Sequence, residues 1–345
     1  MKPFEFYTPS KKYRATLYDI TKPLSVGVKE LIKDIKAYFK KLPVLIVQPK
    51  YDGFRVELHR AGNRVEIWTE DGSKVTRRFP TIVDALRKLP LESFVFEGEL
   101  ERYLQGRHVP RELAIGAAHR KGKRPDEGFV VSIFEVLYLN GKDLTKKTNL
   151  ERVQVLKRLP IKQNTFTPTR GALNICPTFV ARNAVELAKA LKTICSVKHF
   201  EGAVLKPAHL TYYAPLYYWK FKKFITFALV ALKIVPTKAP GVVNVEVGAP
   251  LGDFQNLAPS RLRKLDGKQY AYIGRTYNTK LKVKEGDIVA VRCFNVSLTH
   301  TERGDRVSIY GPQVDKILPK GTHVNTVTEI INAARHFKIL HEKKI

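Results

Sequence analysis

The sequence predicts an α+β chain in two parts: antiparallel sheets flanked by helices, then a small strand-rich barrel. Three observations carry this expectation. Phe54, Val56 and Leu58 alternate with polar residues, and Val65, Ile67 and Thr69 resume the alternation after Gly62-Asn63, which is the mark of a hairpin. Val185, Leu187, Ala188, Leu191 and Ile194 recur close to the helical period. From about Thr226 the texture changes to about five short strands separated by Gly-rich turns, the pattern of a barrel of the OB kind.

Taken in order, residues 1–43 form a basic segment with a helical stripe at Val28, Leu31, Ile32, Ile35 and Phe39, stopped by Pro43. Val44–Val47 is a continuous apolar strand running into Lys50, and the hairpin follows directly. Thr81–Leu89 reads as a short helix, and Phe94–Phe96 and Phe129–Tyr138 as strands. Asn149–Leu159 and Asn183–Cys195 read as helices, and Ala203–Leu205 as a short strand. The barrel strands fall at Phe227–Val235, Val242–Val247, Tyr270–Gly274, Ile288–Phe294 and Val307–Tyr310, and Val327–Leu340 reads as a helical tail. These readings divide the chain into residues 1–43, 44–225, 226–320 and 321–345.

Composition narrows the function. Lys and Arg number 61 against 32 Asp and Glu, a formal charge of +29. Such an excess attracts polyanions, and nucleic acid is the expected partner. Cys176, Cys195 and Cys293 form no Cys-x-x-Cys pair, so neither a zinc ribbon nor a disulfide framework is expected. Met1–Ser10 lacks the features of a secretory signal, and the longest apolar stretch, Phe224–Val235, contains Lys233. It falls short of the about 20 residues that cross a bilayer. The expectation is an intracellular, cytoplasmic or nucleoid-associated protein (nuclear if eukaryotic), with no membrane partner.

The chemistry centres on Lys50-Tyr51-Asp52-Gly53. A lysine at a strand end, followed by a tight Asp-Gly turn, projects its amine where backbone can approach a ligand. A lysine amine ordinarily titrates at about 10.4, so a nucleophilic lysine needs desolvation or neighbouring cations. Taken alone the pattern is weak, arises often by chance, and reads first as a surface β-turn. Four further elements accompany it: Glu97-Gly98-Glu99-Leu100, Phe134-Glu135-Val136, Glu201-Gly202-Ala203-Val204-Leu205-Lys206, and Lys220-Phe221-Lys222. Lys220 and Lys222, two apart in a strand, share a face.

In this order the five elements resemble motifs I, III, IIIa, IV and V of the covalent nucleotidyltransferase superfamily, and of its ATP-dependent DNA ligases in particular. The likeness covers roughly residues 44–223. It implies a nucleotidyltransferase (adenylation) domain over 44–225, followed by an OB-fold domain over 226–320. It also implies a reaction: sealing of nicked double-stranded DNA by a monomer that uses ATP and Mg²⁺ (or Mn²⁺). Lys50 would carry the adenylate, with Asp52, Lys220 and Lys222 as catalytic partners. Gln48, Arg55, Glu97, Glu99, Phe134, Glu201, Lys206, Lys220 and Lys222 would surround the nucleotide: Phe134 stacked on adenine, Gln48 reading its edge, and Arg55 reaching the ribose or a phosphate. Glu99 and Glu201 are oxygen donors suited to the metal.

Two departures stand out. Ligases resembling this chain usually carry arginine where Glu70 stands, so Arg77 or Arg78 is expected to meet the DNA 5′-phosphate instead. The motif VI pattern Arg-x-Asp-Lys is approached only by Gln313-Val314-Asp315-Lys316, which lacks the arginine. The alternatives are an RNA ligase of the same superfamily and a non-catalytic nucleic-acid-binding protein on the same scaffold. A Glu-Gly start at Glu201, rather than Asp-Gly, separates the chain from mRNA guanylyltransferases. The absence of a cysteine zinc site, and of room for a nicotinamide domain ahead of Lys50, separates it from NAD-dependent ligases.

Overall fold

Burial on both faces explains why Leu45, Ile46 and Val47 show no alternation: all three are fully buried in the strand Leu45–Lys50. The computed structural model describes residues 2–5, 12–109, 111, 114, 126–162, 172–197, 199–214, 217–337 and 339–344. Most of the Met1–Ser10 stretch lies outside the described residues. The chain divides into two units, one of residues 1–16 and 25–222, the other of 17–24 and 223–345.

The first unit holds two sheets. In one, Leu45–Lys50 lies between Phe179–Ala181 and Gly202–Pro207, and Gly202–Pro207 pairs in turn with the opening residues of Tyr217–Pro236, all antiparallel. Helix Ala184–Cys195 packs on this sheet and buries Leu187, Leu191 and Ile194. Asn183 caps it, its side chain accepting from the Glu186 N–H.

The other sheet runs in the order Arg64–Thr69, Phe54–Ala61, Ser93–Leu104, Phe129–Leu139, Lys142–Asp143. Leu173–Ile175 is added in parallel to Phe129–Leu139. Its apolar face (Val56, Leu58, Phe94, Phe96, Val131, Ile133) is covered by Ile82, Val83 and Leu86 of helix Pro80–Arg87 and by Leu156 of helix Asn149–Lys157. A reciprocal capping box between Thr148 and Glu151 starts the latter helix.

The second unit is the expected strand-rich barrel, built from more strands than the sequence suggested. Residues 223–236 pair with both Val243–Ala249 and Ile288–Cys293. Lys268–Arg275 follows Val243–Ala249, and Gln313–Ile317 follows Ile288–Cys293. Asn295–Thr301 and Gly304–Tyr310 form a hairpin, and a Cβ at Gly274 would sit 3.1 Å from Ile309, so the Lys268–Arg275 strand runs close beside it. The tail differs from expectation. The helix ends at His336, and Leu340–Lys344 is a strand parallel to Asn295–Thr301. Helical periodicity carries through to Leu340, but the partner of that strand lies some forty residues earlier, where local pattern has no view of it.

Candidate active site

Strand register assembles the site. Lys50 lies opposite Gly202, which lies opposite Lys222; one row along, Gln48 lies opposite Val204 and Val204 opposite Lys220. Cross-strand partners share a face, as do residues two apart. Gln48, Lys50, Lys206, Lys220 and Lys222 therefore project from one face of one sheet. Only the small hydrogen of Gly202 separates Lys50 from Lys222: a Cβ there would fall 1.9 Å from the Phe221 carbonyl oxygen, and its φ is +146°. Gly53 and Gly98 are comparable, with added Cβ atoms at 2.5 Å from the Leu100 oxygen and 2.4 Å from Val131. The three glycines of the carboxylate- and lysine-bearing motifs are thus places where chains approach too closely for a side chain.

Glu201 precedes that glycine, and its N–H donates to the Lys50 carbonyl at 2.9 Å. Its carboxylate is ion-paired to the Lys50 ammonium and lies 4.0 Å from Lys222. Burial alone would raise the Glu201 carboxyl, yet Lys50 and Lys222 hold it below the usual carboxylate range. Glu99 goes the other way. Burial pushes it up to about 7, with Glu201 and Asp52 adding to the rise and Lys50 and Arg111 opposing it. Burial also lowers Lys220 and Lys222, each further depressed by Lys50.

The second sheet supplies the opposite wall. Arg55 pairs across the ladder with Glu99, and its guanidinium bonds the Glu97 carboxylate, which also accepts from the Tyr212 hydroxyl. Glu97, expected at the nucleotide, thus accepts from both Arg55 and Tyr212. Glu135 likewise accepts from the buried Arg152 at 2.9 and 3.2 Å and lies 3.6 Å from Lys206. Lys206 sits 5.1 Å over the Phe134 ring.

A cleft of about 290 Å³ runs between these groups, lined by Gln48, Lys50, Arg55, Glu99, Phe134, Lys206 and Lys220. Tyr13, Glu70 and Arg111 also line it. Tyr13 presents its ring 3.9 Å from the Lys220 ammonium, a cation–π contact. Residues 1–43 read in sequence as a basic segment with one helical stripe, and nothing in the local pattern singles this tyrosine out. A second cleft of about 580 Å³ shares Arg55, Glu70 and Arg111 with the first and adds Lys74 and Arg78. Arg77, in the same Thr76–Arg78 turn, is not among its lining residues. In the second unit, Gln313 and Asp315 both bond Arg292, at 2.7 and 3.1 Å.

No group of three or more His, Cys, Asp or Glu arranged to hold a metal occurs among the described residues. Glu99 and Glu201 beside Asp52 offer carboxylate oxygens, the donor type Mg²⁺ takes when phosphates and water fill its remaining positions. Among the described residues no helix is long and apolar enough to cross a membrane.

Comparison with known proteins agrees with this geometry. The family described as ATP dependent DNA ligase domain matches residues 28–224. A probable DNA ligase of Dictyoglomus turgidum is 25% identical over 205 residues, covering 57% of this chain and 33% of the relative. One from a Nocardioides species is 35% identical over 138 residues, covering 39% and 26%. The chain thus spans about a third or less of the length of these curated relatives. Among solved structures, Pmar-Lig_Pre aligns with TM-score 0.56 at 14% identity, covering 84% of this chain and 66% of that chain. A Lig E DNA ligase structure, described as DNA binding with a minimal scaffold, aligns with TM-score 0.51 at 14% identity, covering 81% and 95%. At such identities the structural likeness is one of fold.

Proposed function

A chain matched over residues 28–224 belongs to the ATP dependent DNA ligase domain family, and from that premise we propose that it seals nicks in double-stranded DNA. The observation that carries the reading is the row Lys50, Gly202, Lys222 with Glu201 on the Lys50 ammonium. It sets one amine among the cations and carboxylates that phosphoryl transfer needs.

Lys50 Nζ, as the free amine, attacks the α-phosphorus of ATP. The N–P bond forms as the bond to pyrophosphate breaks, and the amine proton passes to solvent. Lys220 and Lys222 neutralise the α-phosphate from the same sheet face. Phe134 and Gln48 hold the base, and Arg55, fixed by Glu97, reaches the ribose or a phosphate. Asp52 supports the turn that presents Lys50. Mg²⁺ or Mn²⁺, when bound by Glu99 and Glu201, supplies charge neutralisation on the phosphates. The DNA 5′-phosphate then takes the adenylate from Lys50, and the 3′-hydroxyl attacks that phosphate with release of AMP. Arg78 and Arg111 line the adjoining cleft where a DNA phosphate would enter; Arg77 lies in the same turn.

This reading takes residues 44–225 as the adenylation domain and 226–320 as the OB domain, preceded by the basic segment 1–43 and followed by residues 321–345, whose strand Leu340–Lys344 pairs with Asn295–Thr301. It takes the protein as an intracellular monomer. The test is incubation with α-labelled ATP and Mg²⁺, followed by nicked DNA, nicked RNA and hybrid duplexes. A covalent label absent from Lys50→Ala and consumed in sealing nicked DNA is expected. Sealing of RNA alone would make the protein an RNA ligase. A chain that binds DNA but takes no label would leave only a binding protein.

A further inference from the structure

The base-reading amide is held in one orientation. A glutamine side chain can present either its NH₂ or its oxygen to a ligand, and that choice decides which base it accepts. Here Gln48 Nε2 donates to the Phe134 carbonyl oxygen at 3.2 Å and to Thr178 Oγ1 at 3.0 Å. Both partners demand the N–H end. A carbonyl oxygen carries no proton, and the single hydroxyl hydrogen of Thr178 is directed to the Cys176 carbonyl at 3.0 Å. Flipping the amide would set Gln48 Oε1 against the Phe134 oxygen. Gln48 is only 2% exposed, so water could not relieve the clash.

Thr178 holds this position because Phe179 pairs with Val47 in the antiparallel ladder, which brings residue 178 alongside Gln48. The donor end of the amide is therefore consumed within the protein. Its oxygen is the end left for the cleft, where Gln48 lines the wall with Phe134 and Lys50.

We propose that Thr178 is a specificity-determining residue: by fixing the Gln48 amide it leaves one acceptor facing the base, which admits adenine and rejects guanine. Adenine offers its exocyclic amine, a donor, to that oxygen. Guanine carries a carbonyl oxygen at the same ring position, so two acceptors would meet in a buried site. The proposal rests on the adenylation site described above and deepens it to the choice of nucleotide.

The test uses the full chain with ATP and GTP, in two measurements. Equilibrium dialysis of each labelled nucleotide without divalent metal reads binding. Covalent labelling with Mg²⁺ reads transfer to Lys50. Wild type is expected to prefer ATP in both. Thr178→Val, which keeps the shape and loses the hydroxyl, should reduce the ATP-over-GTP ratio about tenfold, whereas Thr178→Ser should keep it. Gln48→Leu, which removes the acceptor, should reduce the ratio as well, and Thr178→Ala, which also lacks the hydroxyl, replaces Thr178→Val if that variant does not fold.

An unchanged ratio in Thr178→Val, or a wild-type protein taking GTP as readily as ATP, overturns the proposal. Base preference in dialysis with no labelling of Lys50 by either nucleotide would instead sink the ligase reading and leave this one standing.

Discussion

The Glu201 carboxylate is ion-paired to the Lys50 ammonium. Because Lys50 and Lys222 keep Glu201 below the usual carboxylate range despite its burial, it is an anion at neutral pH. Glu201→Gln preserves shape and removes only that charge. Preorganised charge at a reacting phosphate contributes on the order of a hundredfold or more in rate. The variant is expected to form lysyl-adenylate about a hundredfold more slowly, with an unchanged melting temperature. Labelling at wild-type rate would take Glu201 out of the proposed machinery.

Arg152 is a different kind of charge. It is fully buried and bonded to both oxygens of Glu135. Removing one partner of a buried pair strands the other. Arg152→Ala should lower stability by about 3–5 kcal/mol, read from chemical denaturation, with Lys206 at 3.6 Å as the remaining cation for Glu135. A loss within the range of an exposed ion pair, about 1 kcal/mol or less, would mean that Glu135 finds another partner or a proton.

How much of this was legible in the sequence depends on the range of the interaction. Lys50 was visible as an amine at a strand end because strand, turn and glycine are contiguous. Lys220 and Lys222 could be placed on one face by parity alone. That the same face also carries Gln48 and Lys50 depends on pairing with Gly202–Pro207, and register between distant strands leaves no local signal. The same holds for Thr178, which bonds Gln48 from 130 positions along the chain, and for Tyr13, whose ring contact depends on where Lys220 lies. In the barrel, Asn295–Thr301 buries four consecutive residues and Gln313–Ile317 buries only Val314, so neither strand shows the alternation that marks a half-buried strand in sequence.

Gly202 tests whether close approach is what its motif requires. An alanine would place Cβ 1.9 Å from the Phe221 oxygen at a φ of +146°. The two strands that align Lys50 with Lys222 would have to part. Gly202→Ala is expected to cost about 3 kcal/mol or more and to abolish adenylate labelling. Normal labelling with unchanged stability would show that the row of cations tolerates strand separation.

The net charge of +29 predicts that affinity for nicked DNA is dominated by phosphate contacts. Titrations from about 50 to 200 mM salt should show affinity falling about a thousandfold. Arg78→Ala and Arg111→Ala should each make the log–log slope shallower by about one unit, since each side chain lines the cleft beside the proposed nucleotide site. A wild-type slope near zero would contradict an electrostatic footprint altogether.

His300 gives the barrel a pH dependence whose sign can be worked out. Its ring nitrogens meet Asp305 at 2.9 Å and Glu342 at 3.2 Å, tying the Asn295–Thr301 strand to both of its neighbours. Those carboxylate hydrogen bonds raise its pKa above the ordinary value. The unfolded chain releases this proton at about 6.5, so the folded chain binds more protons just above that pH, and stability falls as pH rises through the folded value. The contribution is complete below about pH 6.5 and lost in alkaline solution. Melting temperatures of wild type and His300→Asn should therefore differ most near pH 6 and converge by about pH 9. The gap should be small, because the pair is solvent-accessible and screened; a gap that widened with pH would reverse the assignment of a raised pKa.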